Sequence, residues 1–188
     1  SDMELNPLTA LSPIDGRYAR QTDALRDIFS ECAFMNARVR VEVEWLISLS
    51  EAGFAELPHL SDHGKAFLRG LADNFSLADC EAIKEIEKTT NHDVKAVEYW
   101  IKNQVAHDEE LKSASEFVHF SCTSEDINNT SHAIMLKRGR EALADYLQQI
   151  HDTIAGFAHQ WAEIPMLSRT HGQTASPTTV GKEFANVA

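Results

Sequence analysis

Between Asp23 and Ala52, apolar side chains return every three or four positions: Leu25, Ile28, Phe29 and Cys32, then Val39, Val43 and Leu46. That spacing predicts one amphipathic helix, which Gly53 is placed to end. A shorter helix is expected around Phe67 to Leu71. Ser76 and Asp79 form a capping box at the start of "SLADCEAIKEIEK", a helix that stops at "TTNHD". Val94, Val97, Ile101 and Val105 mark another helix, which begins at once. Residues 3–21 show no such period and read as irregular, with Pro13 and Asp15-Gly16 making a turn.

The longest pattern begins at "TSEDINN", where Thr123 and Asp126 form a second capping box. Leu136, Leu143, Leu147, Ile150, Ile154, Phe157 and Trp161 then follow at heptad-like steps of seven, four, three, four, three and four. The pattern predicts a helix of about forty residues, roughly 60 Å long. Such a rod belongs in a long bundle shared between subunits; an amphipathic helix of a monomeric bundle is the plainer alternative. A last helix is expected to open at Ser176-Pro177, as N-cap and first helical residue. It runs into "GKEFANVA" with no Gly, Pro or basic turn to close it, so the expectation is a chain cut within a helix. Ser1 and Asp2, ahead of Met3, read as a cloning remnant.

Composition narrows the function classes. The chain has 188 residues, 43% of them hydrophobic, enough for the core of one domain or somewhat more. With only 8 Gly and 5 Pro, a turn-rich β-sandwich is disfavoured. A formal net charge of -12 argues against a general nucleic-acid binder, whose affinity rests on exposed Lys and Arg. An anionic small molecule is still admissible, because it needs only a few local positive groups. No apolar window is long enough to span a bilayer, and "MELNPLTALSP" lacks the layout of a signal peptide. Three cysteines, Cys32, Cys80 and Cys122, are an odd number without metal spacing and fit a reducing cytosol. His59 and His63, or His151 and His159, lack a Cys or carboxylate to complete a ligand set, so neither metal nor cofactor is expected.

Three polar clusters share one design. "TTNHD", "SCTSEDINN" and "SRTHGQ" all lie just before or at an expected helix start. Helix N-termini offer unpaired N–H groups and partial positive charge, so they hold anions without a basic patch. Thr123-Ser124 also reads as a simple cap, and Asn91-His92 as a simple helix junction. His171 stands apart, because nothing around it offers an apolar face. Gly172 lets the backbone approach a ligand, Thr170 and Gln173 supply hydrogen bonds, and an imidazole there can transfer protons at neutral pH. Lys95, Arg169 and Lys182 add positive charge, for which surface salt bridges are the plainer use.

The stretches "LTALSPIDGRY", "KTTNHDVKAVEYW", "SEFVHFSCTSEDINN" and "LSRTHGQTASPTTVGKEFANVA" occur in this order. Together they resemble the N-terminal part of the adenylosuccinate lyase family, in the fumarase/aspartase superfamily, over essentially Met3 to Ala188. "TTNHDVKAVEY" points to that family rather than to fumarases or argininosuccinate lyases. The resemblance implies an all-α fold, with an N-terminal helical domain over 1–112 and the first part of a long central helical bundle over 113–188. It also implies a cytoplasmic homotetramer whose active sites each draw on three subunits. The activity implied is that of a carbon–nitrogen lyase without a cofactor, acting on an anionic nucleotide. It would eliminate fumarate from adenylosuccinate to give AMP, and from the succinyl-carboxamide ribotide of purine synthesis.

By the same resemblance His171 is the general acid that protonates the leaving nitrogen. Arg17 and Tyr18 contact the nucleotide, Asn91, His92 and Asp93 form a second substrate-binding stretch, and Thr123 and Ser124 donate to the succinyl or fumarate carboxylate. Thr170 and Gln173 flank the acid as hydrogen-bonding groups. The family's base, a serine on a mobile loop, lies beyond Ala188, so this chain alone is expected to lack lyase activity. Two other readings are a lyase of the same superfamily with a different succinyl substrate, and a helical oligomerisation module.

Overall fold

A computed structural model describes residues 4–54 and 56–188; Ser1 and Asp2 lie outside the described residues. It divides into two compact units, one ending at Gly139 and one running from Arg140 to Ala188. Among the described residues the fold is helical, with one two-stranded hairpin.

In the first unit, short 3-10 turns at Pro13–Asp15 and Ala19–Gln21 lead into α1 (Asp23–Phe29) and α2 (Glu31–Glu51). The sequence pattern runs unbroken across this junction, but the helix does not. Ser30 is extended and caps α2, its Oγ accepting from Ala33 N (3.1 Å) while donating to Arg26 O (2.5 Å). A serine hydroxyl that satisfies both helix ends lets the chain bend without leaving buried polar groups unpaired. Gly53 has φ +66, the left-handed conformation that ends α2.

α3 (Asp62–Asp73), α4 (Leu77–Thr90), α5 (Asp93–Val105) and α6 (Glu109–Ala114) follow. α3 is longer than its apolar residues suggest because Ser61 caps it. The Ser76/Asp79 capping box forms as expected. α2 lies at the centre of the core: Met35, Val39, Val43, Leu46 and Ile47 are buried with Leu68, Ile83, Val97, Trp100 and Ile101. Cys32 of α2 and Cys80 of α4 are joined by a disulfide across 48 residues, and Cys122 is free. The odd cysteine count, taken from sequence as fitting a reducing cytosol, gave no sign of this pairing. Burial of both side chains in one core brings the sulfurs together, which an odd count does not reveal.

α7 (Ser124–Gln160) is a single helix of 37 residues opened by the Thr123/Asp126 capping box. Within the first unit Gly139 faces Phe29 of α1 so closely that a Cβ there would lie 2.2 Å from Phe29 Cζ. In the second unit the end of α7 is followed by β1 (Pro165–Thr170), β2 (Gln173–Thr179) and α8 (Val180–Val187). Phe157, Trp161 and Phe184 pack together there, with the Phe157 and Trp161 rings stacked at 4.8 Å. The helix expected to open at Ser176-Pro177 is instead strand, and α8 starts at Val180 behind the N-cap Thr179, whose Oγ1 accepts from Lys182 N (3.1 Å). Pairing decides this: Pro177 sits opposite Leu167 and Thr178 opposite Met166, and threonines favour the pleated backbone.

Candidate functional site

The loop carrying Arg17 and Tyr18 is shaped from within the protein. Asp15 accepts from Ser12 N (2.8 Å) and Leu11 N (2.5 Å) and is paired with Arg26. Arg26 is 1% exposed and also donates to the carbonyls of Thr9 and Ala19 (both 3.2 Å). Burial by itself would raise the Asp15 pKa. The Arg26 hydrogen bond and the two backbone N–H groups hold it below the ordinary carboxylate value. Arg17 and Tyr18, with the guanidinium 5.6 Å from the phenol ring, are thus displayed in solvent on a loop tied down by neighbours.

The clusters at 91–93 and 123–124 come together. Asn91 adopts φ +50 and closes α4, and His92 caps α5. His92 Nδ1 accepts the N–H of Lys95 (3.2 Å), and Nε2 lies 3.3 Å from Ser124 Oγ at the start of α7. A neutral ring that accepts at Nδ1 carries its proton on Nε2 and donates it to Ser124. The Ser124 hydroxyl proton is then free for a ligand. Thr123 is engaged differently: its N–H and its hydroxyl both go to Asp126 Oδ2 (2.7 and 2.9 Å). Asp93 is occupied as well, with Oδ1 accepting from Val94 N (2.8 Å) and Oδ2 from Arg38 (2.6 Å). Burial would raise the Asp93 pKa, but the Arg38 charge and the Val94 N–H outweigh it and the value falls. Two helix N-termini, an imidazole and a free hydroxyl thus share one exposed patch suited to an anion.

In the second unit, Thr170, His171, Gly172 and Gln173 form the tip of the hairpin. Thr170 pairs with Gln173, and His171 (φ +52) and Gly172 (φ +73) are the two loop residues. Positive φ at both positions is the signature of a type I′ turn, which matches the twist of the flanking strands. The cluster therefore does not sit at a helix start, unlike the other two. Gly172 has a local conformational reason as well as any role toward a ligand. The three side chains at the tip, Thr170, His171 and Gln173, are exposed, as the polar stretch predicts. Lys95 pairs with Glu98 (2.9 Å) and Lys182 with Glu183 (3.6 Å), the plainer use of those charges.

Two groups near the first-unit patch escape the sequence reading. His119, at φ +64 and four residues before Thr123, has Nδ1 2.5 Å from Oε1 of Glu42, a residue 1% exposed. The hydrogen bond to Glu42 raises the His119 pKa against the opposing effect of burial. Arg38, 5% exposed, bonds Asn128 Oδ1 through Nε (2.9 Å) in addition to Asp93. The available signal is that Arg38 and Glu42 fall among Met35, Val39, Val43 and Leu46, as charged residues on the apolar positions of α2. A groove of about 670 Å³ lined by Thr89, Thr90, Lys95, Tyr99 and Asn103 adjoins the His92 turn. Among the described residues no three His, Cys, Asp or Glu side chains are grouped as metal ligands, and no helix is long and apolar enough to cross a membrane.

A protein-family model described as "Lyase" matches residues 16–188. The chain belongs to this lyase family. Proteins named adenylosuccinate lyase are its relatives: that of Vibrio cholerae serotype O1 is 54% identical over 99% of this chain and 41% of its own length. The Haemophilus influenzae protein is 55% identical over 98% of the chain and the Escherichia coli K12 protein 53% over 99%, each over 41% of its own length. The chain thus spans about two fifths of the curated relatives it matches. Among solved lyase-like structures, fumarate lyase from Mesorhizobium sp. BNC1 aligns with TM-score 0.69 at 20% identity, over 87% of this chain and 36% of that one. The 3-carboxy-cis,cis-muconate lactonizing enzyme of Pseudomonas putida aligns with TM-score 0.65 at 23% identity, with the same coverage. At these identities the likeness is one of fold.

Proposed function

We propose that a protein of the relatives' length carrying this chain is an adenylosuccinate lyase. The carrying observation is the meeting of His92 and Ser124 at two helix N-termini, in a chain 53–55% identical to proteins of that name. In the elimination, a proton leaves carbon beside a carboxylate, the electron pair forms the C=C bond of fumarate, and the C–N bond breaks. The departing nitrogen takes a proton. His171, on the exposed hairpin tip with Thr170 and Gln173 beside it, is the proposed acid. Ser124, with the α7 N-terminus that Thr123 caps through Asp126, receives the succinyl carboxylate; Asn91 and His92 form the second binding stretch beside Asp93, and Arg17 and Tyr18 take the nucleotide. The base is a serine outside these residues.

The enzyme is proposed to be a cytoplasmic homotetramer that builds each site from three subunits, with residues 1–112 as one domain and 113–188 opening the central bundle. Leu136, Leu143, Leu147 and Ile150 on α7 are 66%, 48%, 65% and 56% exposed, a seam that favours burial against another copy. The same seam favours, for the 188 residues alone, the second reading as an oligomerisation module. Sedimentation of the chain tests that reading, and a monomer at all concentrations would remove it.

Adenylosuccinate consumption followed by absorbance tests the first. Turnover by the protein of full relative length is expected, and none would overturn the assignment. His171→Ala should cost about 10²–10⁴-fold in kcat, the usual worth of general acid–base assistance. A near-normal rate would remove His171 as the acid.

A further inference from the structure

We infer that Arg38 is a positioning residue that fixes the spacing of the two helix N-termini at the candidate site, and that Asp93 belongs to this brace rather than to the substrate. The inference rests on the lyase reading for its consequence, though not for its geometry. Arg38 rises from the middle of α2 into a nearly closed space. Its guanidinium lies 3.8 Å from the centre of the Phe34 ring, which in turn stacks on His132 of α7 at 4.6 Å. From that seat Nε reaches Asn128 of α7 and one terminal nitrogen reaches Asp93 of α5, at 2.9 and 2.6 Å. One planar fork thereby holds two helices near their N-termini, at the first residue of α5 and the fifth of α7, a geometry that the point charge of a lysine does not reproduce.

The brace lies one layer below the exposed contact. Asp93 follows His92 directly, and Asn128 is one turn after Ser124 on the same face of α7. The 3.3 Å His92–Ser124 approach is therefore made by the same two helix ends that Arg38 ties together. Two helix N-termini each carry partial positive charge and repel at close range. The Asp93 carboxylate, lying between α5 and the Arg38 cation, offsets that repulsion. Each Asp93 oxygen already accepts a bond within the protein, and a carboxylate has no proton to offer an anionic ligand. Its effect on binding runs through His92 and Ser124.

The test uses a protein of the relatives' full length. Arg38→Lys is expected to raise KM for adenylosuccinate about tenfold, the equivalent of one lost hydrogen bond to the ligand, with a smaller change in kcat. Its effect should largely disappear in a His92→Ala background, because both substitutions disable the same contact. Amide exchange at 91–95 and 123–128 should quicken about tenfold, while α3 is unchanged. Unchanged KM in a folded Arg38→Lys protein, or effects of Arg38→Lys and His92→Ala that simply multiply, would overturn the inference. Asp93→Ala and Asn128→Ala each remove one arm and leave Arg38 packed on Phe34, so they decide the matter if Arg38→Lys does not fold. If the unsubstituted protein turned over no adenylosuccinate, the function reading would fall, and the exchange pattern would still decide the brace.

Discussion

Removing the imidazole of His119 is expected to destabilise the first unit more than any substitution among its exposed polar residues. Glu42 has a fully buried side chain; Oε1 meets His119 Nδ1 at 2.5 Å and Oε2 has no partner. His119→Ala leaves a buried carboxylate with neither oxygen paired, a loss of about 3–5 kcal/mol. Glu42→Gln keeps an acceptor for the ring and loses only the charge assistance, about 1–2 kcal/mol. Removing both polar partners, in Glu42→Leu with His119→Ala, should recover most of the larger loss, because no orphaned charge remains. The assay is urea unfolding followed by tryptophan fluorescence. Trp45 is a local reporter, since its Nε1 donates to Phe120 O (2.8 Å), the residue next to His119.

The pH dependence has a definite sign. The hydrogen bond to Glu42 raises the His119 pKa; burial opposes it, the Glu42 and Glu98 charges add to it, and the Lys95 charge subtracts. A histidine whose folded value exceeds its unfolded one stabilises in full below the unfolded value, about 6.5, and the gain is lost as pH rises through the folded value. Stability should therefore fall as pH rises above about 6.5 in the unsubstituted chain, until the raised folded value is passed. That component of the slope should be missing in His119→Ala. A loss under about 1 kcal/mol for His119→Ala, with an unaltered pH slope, would refute the reasoning.

Two further outcomes are expected. Gly139→Ala should destabilise by about 1 kcal/mol, the net of overpacking against Phe29 and the helix preference of alanine. In a Phe29→Ala background the same change should stabilise instead, as denaturant midpoints would reveal. Reduction of Cys32–Cys80, or Cys32→Ser, should cost about 4 kcal/mol if the 48-residue separation acts through chain entropy. A cytoplasmic location and a formed disulfide make opposite demands, so counting free thiols in protein trapped directly from cells decides between them; one free thiol supports the disulfide and three support its reduction.

The hairpin shows where local pattern fails. "SPTTVGKEF" contains a good N-cap and a proline after it, and read alone it opens a helix. Its strand conformation depends on a partner strand and on two positive-φ residues at His171-Gly172, neither visible in a propensity. Arg38 and Glu42 show the converse: their positions among apolar neighbours on α2 were on display, but their partners, Asp93, Asn128 and His119, lie 55, 90 and 77 residues away.

Short-range chemistry suffices for the helices, for the capping boxes at Ser76 and Thr123, and for the exposed character of His171, because each depends on residues within about one or two turns. The Cys32–Cys80 link, the meeting of His92 with Ser124 and the burial of Arg38 and Glu42 are tertiary decisions. They depend on which surfaces pack together, and a buried charge finds its partner only once packing has excluded water and brought distant segments into reach.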